Sequence, residues 1–219
     1  MLDELKQEVL DCALAAERAG LCKHRSGNFS AYDTETGLVC ITPTGMDREK
    51  MTYRDIIVMD RNAQTIEAET NLRPTSEALM HLAAYETRPD LPAVVHTHSK
   101  FATLFAVLKK PIPALVYEFM NLGCQDGFVP IADYARPGTK ALADSVREPL
   151  RRADVVLLES HGVLAMGRNL EDALLKASYA EELAEIYYRA LTVLPQGQEP
   201  PALPAEELKK WAYPKEIGI

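Results

Sequence analysis

Two histidines separated by one residue, His96 and His98, follow directly after the apolar run Ala93-Val94-Val95. A short β-branched run of this kind predicts a buried strand. Because successive strand side chains point to opposite faces, the two imidazoles are expected to share one face. Such a pair can supply half of a zinc or other first-row metal site, although each imidazole could instead simply donate to a backbone carbonyl.

A third histidine is placed in a similar way. His161 follows the apolar run 155–158 and precedes Gly162, in a chain that has five histidines. Two buried strands that each end in histidine can converge at one edge of a sheet. We therefore expect His96, His98 and His161 to bind one divalent ion and to leave it open positions for a substrate.

Three further segments carry hydroxyl groups or glycine where a backbone could approach an anion. The first, Ser26-Gly27-Asn28, has the residue types of a plain turn, and an anion-binding loop is the alternative. The second is Thr42-Pro43-Thr44-Gly45. The third, Thr75-Ser76-Glu77, precedes an apolar helical pattern, so backbone N–H groups and a positive helix end are available there.

The third segment also permits simpler interpretations. Thr75 or Ser76 could do no more than cap the helix, and Glu77 could only complement the helix dipole. In the first helical turn, however, the Glu77 carboxylate could project toward the same mouth as a bound anion. His81, one turn later, is expected to be an ordinary surface or core histidine.

The elements that must position these residues alternate between helices and short strands. A helix is predicted at the N-terminus, closed by Gly20, and a long helix is predicted to start at Asn169. Residues 112–117 look strand-like, and 56–59 with 64–67 resemble paired short strands. Sequential strand pairs favour a central mixed sheet flanked by helices over a regular βαβ series. No Gly-x-Gly-x-x-Gly motif follows a predicted strand, so a dinucleotide-binding fold has no support.

Length and charge narrow the possible classes of protein. The 219 residues suit one domain, predicted over 1–194, with a linker and tail at 195–219 that packs on the domain or on a neighbouring subunit. A net charge of −8 argues against a nucleic-acid binder with a general basic surface. The four cysteines form no Cys-x-x-Cys pair, and no signal peptide or membrane-spanning run is evident. A cytoplasmic enzyme or binding protein is expected.

The order and spacing of five motifs resemble the class II aldolase/adducin family. These motifs are Ser26-Gly27-Asn28, Thr42-Pro43-Thr44-Gly45, Thr75-Ser76-Glu77, His96-Thr97-His98 and His161-Gly162. The resemblance extends from about residue 5 to residue 190. It implies an α/β fold of three layers, α/β/α, around a central mixed and largely antiparallel sheet. It also implies a catalytic zinc ion, or another divalent first-row metal, and a homotetramer with active sites between subunits.

The resemblance further implies a role for each matching residue. Glu77 matches the family's acid/base residue, and Tyr117 matches a tyrosine proton donor supplied across the subunit interface. The residues that match the metal ligands are His96, His98 and His161. The residues that match the substrate-phosphate site are Asn28, Thr44, Gly45, Thr75 and Ser76.

Some positions depart from the family pattern. The loop 135–138 carries Arg136 and Pro137 where related aldolases have threonine and phenylalanine, so the aldehyde end of the substrate is left open. Glu118 aligns with a catalytic glutamate of related dehydratases. Tyr213 is only a candidate for a further tyrosine of the aldolase tail.

The expected activity is zinc-dependent retro-aldol cleavage of a ketose 1-phosphate, a phosphorylated small-molecule sugar, to dihydroxyacetone phosphate and an aldehyde. A sugar-phosphate 4-epimerase or a methylthioribulose-1-phosphate dehydratase on the same scaffold is the alternative. The related epimerases carry aspartate at the position of Glu77, which favours the aldolase. A non-catalytic adducin-like module is less favoured because the histidines and the acid are all present. A generic metallohydrolase is a further alternative, but the anion-binding segments do not favour it.

Overall fold

The computed structural model describes residues 1–208. The helices are α1 (Asp3–Arg18), α2 (Ala78–Thr87), α3 (Lys100–Val107), α4 (Lys140–Ser145), α5 (Arg147–Leu150), α6 (Leu170–Val193) and α7 (Ala205–Leu208). The strands are β1 (Asn28–Asp33), β2 (Leu38–Ile41), β3 (Ile57–Met59), β4 (Thr65–Glu67), β5 (Ala93–Thr97), β6 (Ile112–Pro113), β7 (Phe128–Val129), β8 (Ile131–Ala132), β9 (Val155–Leu158) and β10 (Gly162–Gly167).

Eight strands form the central sheet, in the order β4-β3-β2-β1-β5-β10-β9-β8. Every neighbouring pair is antiparallel except β8 with β9, which is parallel. One face of the sheet packs with α1, α3 and α6, and the other packs with α2, α4 and α5. The predicted α/β/α fold with a mixed, largely antiparallel sheet is therefore confirmed.

The ends of two helices follow from their local sequence. Gly20, at φ +76°, follows α1, and the N–H of Leu21 bonds to the carbonyl of Ala16, as in a Schellman-type C-terminus. Asn169 caps α6, since its side chain accepts a hydrogen bond from the N–H of Asp172 at 2.8 Å. Both helix ends were predicted at these residues. No helix within residues 1–208 combines the length and apolar character needed to cross a bilayer.

Two boundary predictions were wrong. The strand predicted over 112–117 ends at Pro113, because its partner β7 offers only two residues for pairing, and Tyr117–Leu122 forms a 3-10 helix instead. Glu77 does not lie in the first turn of α2; it is the N-cap residue, and its N–H bonds to the Thr75 hydroxyl at 3.4 Å. The Glu77 side chain therefore projects from the N-terminus of α2, at a residue whose backbone is not yet helical.

The segment after α6 returns to the domain. The N–H of Leu203 donates to the carbonyl of Ala114 at 2.7 Å, and Leu203 and Leu208 pack against the larger core. The division into a domain at 1–194 and a tail at 195–219 stays a prediction. Tyr213 lies outside the described residues.

Candidate active site

Strand alternation sorts the polar side chains of β1 and β5 onto one face of the sheet. Phe29 and Val95 point into the core shared with α1 and α6. Asn28 and His96, one position away in each strand, therefore point toward α2, and they are cross-strand partners in the ladder. His98 lies just beyond β5 with the same parity, so its imidazole joins the same side.

The structure brings the three histidines and Glu77 together. His96 Nε2 lies 3.0 Å from His98 Nε2 and 3.2 Å from Glu77 Oε2. Glu77 Oε1 lies 3.2 Å from His161 Nε2. One ligand atom from each of the four residues falls within 4.8 Å of the others. Segments separated by up to 84 positions (161 − 77) thus converge on one point.

The hydrogen bonding of His96 fixes which nitrogen faces this point. His96 Nδ1 lies 2.8 Å from the carbonyl oxygen of Val163, which can only accept, so Nδ1 carries the proton. In the neutral imidazole Nε2 is then a bare lone pair directed at the cluster. A ring N–H held by a backbone carbonyl is the usual support of a metal-binding histidine.

Burial keeps the other two imidazoles neutral. Burial, together with the neighbouring histidines, lowers the pKa of His98 to about 3. Burial and His96 lower the pKa of His161 to about 4. Both rings therefore present lone pairs at neutral pH, which is the form that binds metal ions.

Glu77 is held as a carboxylate. Burial by itself disfavours its charged form, but positive charge at the imidazoles of His96 and His161, carried by a proton or by a bound cation, and the amide of Asn28 favour that form more strongly, so the pKa of Glu77 lies below the ordinary value. Asn28 Nδ2 donates to Glu77 Oε2 at 2.8 Å. Within residues 1–208, the buried Oε1 has no hydrogen-bond donor, which leaves an oxygen of this charged group facing the cluster.

Two glycines allow the converging segments to approach so closely. A Cβ atom on Gly162 would lie 2.3 Å from the carbonyl oxygen of Thr97, against the end of β5. A Cβ atom on Gly27 would lie 2.6 Å from the carbonyl oxygen of His96, and Gly27 also has a φ of +78°. Both positions require glycine, so the loop before β1 and the β9–β10 hairpin can flank the histidine strand.

These donors fit a divalent first-row metal ion. Imidazole nitrogens and a carboxylate oxygen are the ligands such ions prefer, and a closely spaced set of lone pairs repels itself unless a cation or protons lie between them. The residues that would hold the ion are His96, His98 and His161, with Glu77 alongside. The donor set does not distinguish zinc from its neighbours in the first row.

A cleft of about 270 Å³ opens in front of the cluster. Its wall includes all five residues matched to the phosphate site, and also Glu77, His98 and His161. The hydrogen bonds formed within residues 1–208 leave the backbone N–H groups of Gly45 and Ser76 unused. Ser76 directly precedes Glu77, the N-cap residue of α2, so these groups and the helix end offer an anion a positive environment.

Tyr117 takes no part in this cleft within one chain. Its side chain is 46% exposed, in the 3-10 helix whose last residue, Leu122, accepts a hydrogen bond from the N–H of Asp154. Asp154 precedes β9, whereas His161 follows it, so the 3-10 helix ends near the start of this strand and the cluster lies near its other end. Neither Glu118 nor Arg136 lines the cleft among the described residues.

Two residues that the sequence did not single out, Arg25 and Arg48, contribute here, alongside Pro137 of the loop 135–138. Arg25 and Pro137 line the cleft. Arg48 is buried and donates to the carbonyl oxygens of Ser26 and, at 2.7 Å, Gly27, so it supports the loop before β1. A basic residue beside the glycine loop was a usable signal for Arg25, but nothing in the local sequence around Arg48 indicated its partner 21 positions away.

Comparison with known families identifies the class of protein. Residues 7–188 match the model described as the class II aldolase and adducin N-terminal domain, so the chain belongs to this family. Because the chain retains the histidine and glutamate cluster, it is an enzyme of the lyase class with a candidate site for a divalent metal.

Several named aldolases resemble the chain over nearly its whole length. It is 37% identical to L-fuculose phosphate aldolase of Escherichia coli, covering 94% of this chain and 91% of that protein. It is 34% identical to 5-deoxy-D-ribulose 1-phosphate aldolase of Bacillus thuringiensis serovar kurstaki, covering 97% and 95%. It is 35% identical to a 5-methylthioribulose-1-phosphate/5-deoxyribulose-1-phosphate aldolase of Rhodospirillum rubrum, covering 94% and 88%. A solved L-fuculose 1-phosphate aldolase superimposes with a TM-score of 0.87 at 37% identity, covering 94% of this chain and 93% of that one.

Proposed function

We propose that this enzyme cleaves a ketose 1-phosphate to dihydroxyacetone phosphate and an aldehyde, using a divalent metal ion that we take to be zinc. The observation that carries the proposal is the common cleft: the metal-type donor cluster and the phosphate-type loops line one space of about 270 Å³. A C1 phosphate at Thr44, Gly45, Thr75 and Ser76 would bring the neighbouring carbon atoms of the sugar to the cluster.

The proposed chemistry divides between the ion and the chain. A bound divalent ion supplies Lewis-acid stabilisation of the negative charge that develops on substrate oxygen when the C3–C4 bond breaks. Glu77 exchanges the proton at C3: it removes this proton in the direction of condensation and returns it in cleavage. Its lowered pKa suits the basic role. Tyr117 of a neighbouring subunit handles the proton of the C4 hydroxyl, which becomes the aldehyde.

The oligomer belongs to the same proposal. Tyr117 is 46% exposed and does not line the cleft of its own chain, as expected of a residue supplied to a neighbouring site. We propose the homotetramer, with active sites between subunits, on the family resemblance together with this placement. The cytoplasmic location expected from the sequence likewise stays a prediction.

The aldehyde portion is proposed as a class. The relatives are named for fuculose, 5-deoxyribulose and 5-methylthioribulose phosphates. Pro137 gives the cleft wall an apolar ring where related aldolases carry phenylalanine. We propose a sugar that ends in an apolar group, such as L-fuculose 1-phosphate or a 5-deoxy or 5-methylthio pentulose 1-phosphate.

The test is a substrate screen on protein stripped of metal and reloaded. The protein is treated with a chelator, supplied separately with Zn²⁺, Co²⁺, Mn²⁺ or Mg²⁺, and mixed with the three sugar phosphates. Released dihydroxyacetone phosphate is measured by enzyme-coupled reduction. We expect release that depends on the added metal. No release with any pairing would contradict the proposal, and an epimerised or dehydrated product would assign the scaffold to one of the alternative reactions.

A further inference from the structure

Behind Glu77 a line of buried polar side chains runs into the domain. Asn28 Nδ2 donates to Glu77 Oε2 at 2.8 Å, and Asn28 Oδ1 lies 2.5 Å from His81 Nε2. His81 Nδ1 lies 2.6 Å from Ser30 Oγ, which lies 2.5 Å from the hydroxyl of Tyr85. Each of the four residues behind Glu77 is at least 95% buried. The proposed reaction uses neither His81 nor the two hydroxyls behind it.

The donors and acceptors of this line can be assigned from its first member. A carboxylate only accepts, so Asn28 must turn its NH₂ group toward Glu77 and its Oδ1 toward His81. Asn28 Oδ1 also only accepts, so His81 Nε2 must carry the proton. His81 Nδ1 is then a bare acceptor, to which the Ser30 hydroxyl donates.

The hydrogen bond between the hydroxyls of Ser30 and Tyr85 can be assigned in the same way. Because the Ser30 proton is committed to His81, the Ser30 oxygen accepts from Tyr85. All the donors therefore point toward Glu77, from Tyr85 through Ser30, His81 and Asn28. His81 is in the Nε2–H form, the opposite tautomer from His96, whose Nδ1 carries the proton.

The orientation of one amide depends on this arrangement. Rotating the Asn28 amide by half a turn would place Oδ1 against the Glu77 carboxylate, two acceptors in contact within a buried site. It would also set the NH₂ group against the N–H of His81. A fixed donor on His81 therefore excludes the wrong amide orientation at a site where Asn28 is only 5% exposed.

We propose that His81 is a positioning residue for the candidate active site: its Nε2–H locks the Asn28 amide so that Asn28 donates to Glu77. The His81 side chain does not line the cleft, and its hydrogen bonds run to Asn28 and Ser30, so it acts on the Glu77 carboxylate through Asn28. The second N–H of Asn28 stays available to the cleft, which Asn28 lines. The functional part of this inference rests on the proposed aldolase activity, whereas the tautomer does not.

The tautomer can be measured without any substrate. Protein labelled with ¹⁵N only in histidine gives long-range imidazole spectra in which protonated and bare ring nitrogens differ, and the chain has just five histidines to assign. The signal absent from His81→Gln protein identifies His81. We expect a protonated Nε2 and a bare Nδ1 at neutral pH. A protonated Nδ1, or a doubly protonated ring, would overturn the inference whatever the enzyme's substrate proves to be.

The functional part is tested by a double-mutant cycle on metal-loaded enzyme. His81→Leu removes the donor that holds the Asn28 amide and should lower kcat about ten- to hundredfold, as expected when the hydrogen bond from Asn28 to the charged Glu77 is lost. His81→Gln keeps a donor for Asn28 and an acceptor for Ser30, and should restore most of kcat. In an Asn28→Ala background, His81→Leu should change kcat by less than twofold, because the residue through which it acts is gone.

If His81 contributed only to the stability of the fold, the kcat values of these variants would follow a different pattern. Leu82→Ala, at the next position of α2, opens a cavity in the core and serves as the control that lowers stability without lowering kcat of the folded, metal-loaded enzyme. If His81→Leu behaves like Leu82→Ala, or if its effect multiplies with that of Asn28→Ala, positioning through Asn28 is excluded. Should wild-type protein cleave none of the sugars, the proposed function fails, and the tautomer still decides the inference.

Discussion

The Glu77 carboxylate is surrounded by groups from three separate segments. Asn28 donates to one oxygen at 2.8 Å, and His96 and His161 each lie 3.2 Å from the carboxylate. Its position at the N-cap of α2 adds the favourable end of the helix dipole. These contacts direct a buried carboxylate toward the cleft rather than neutralising a surface charge.

Replacing Glu77 should therefore affect turnover more than structure. Glu77→Gln keeps the size and the hydrogen-bonding shape but removes the base, so kcat should fall by about 10²- to 10⁴-fold. Steady-state kinetics with parallel metal analysis measures this, and the metal content should persist on the three imidazoles. Glu86→Gln, on the same helix in a surface pair with Arg147, is the matched control and should leave kcat unchanged. Unaltered turnover in Glu77→Gln would remove this residue from the reaction.

We expect the hydroxyl of Ser76, as a proposed phosphate contact, to affect substrate binding rather than the chemical step. A phosphate contact is made equally in the ground and transition states, so Ser76→Ala should raise KM roughly tenfold and leave kcat nearly constant. Ser145→Ala removes a hydroxyl of similar size that, among residues 1–208, bonds only to the carbonyl of Leu142, and it should change neither constant. An unchanged KM in Ser76→Ala would leave Ser76 as no more than a residue that precedes the helix.

The pairing of elements explains which parts of the site could be predicted from sequence. The alternation of β5 was visible in Val94, Val95 and His96, so the common face of the two histidines followed directly. The meeting with His161 required only that two strand ends share one sheet edge. The N-cap position of Glu77 and the support from Arg48 depend on contacts between distant segments, which no local pattern encodes.

The close approach of the β9–β10 hairpin to β5 leads to a prediction at the level of elements. Gly162→Ala places a methyl group 2.3 Å from the Thr97 carbonyl oxygen and 3.2 Å from His96 Cε1, so the hairpin must shift away from β5. Metal affinity should fall at least tenfold, because moving His161 by a fraction of an ångström disturbs the ligand set. Competition with a chromogenic chelator gives the dissociation constant.

A second glycine separates this effect from general destabilisation. Gly37, in the turn between β1 and β2, has a φ of +74° and no heavy atom within 4 Å of an added Cβ. Gly37→Ala should lower the free energy of unfolding by about 1 kcal/mol through backbone strain alone and leave metal affinity unchanged. Equal metal affinities in the two variants would mean that the tight contact at Gly162 does not control the ligand set.

For the molecule as a whole, the layered fold was accessible from the sequence because strand and helix periods alternate along it. Sequential strand pairs predicted a mixed sheet and the family resemblance added its largely antiparallel character, and the structure confirms both. The role proposed for Tyr117 came from the family resemblance alone, because a residue that would complete another subunit's site carries no signal within its own chain. The strand predicted over 112–117 failed for a related reason, since strand length depends on the partner, and β7 is only two residues long.

The buried imidazoles make the stability of the metal-free protein depend on pH. The folded-state pKa is about 3 for His81 and His98 and about 4 for His161, whereas unfolded histidine titrates near 6.5. Below pH 6.5 the unfolded chain therefore binds protons that the folded chain does not. Stability is fully present above this pH and falls as the pH drops toward about 4, with a slope of at most about 1.4 kcal/mol per pH unit for each histidine.

Denaturant unfolding in the presence of a chelator, between pH 7.5 and 5, measures this slope before the carboxylates begin to titrate. Carboxyl groups whose pKa is lowered in the folded state, such as Asp172, lose their contribution to stability only as the pH falls below their unfolded pKa values near 4. His161→Gln removes one of the three groups and should flatten the slope, whereas His24→Gln, at an exposed position, should not. A stability of the metal-free protein that is constant over this range would mean that the three imidazoles accept protons in the folded state, and the neutral ligand cluster would then lose its electrostatic basis.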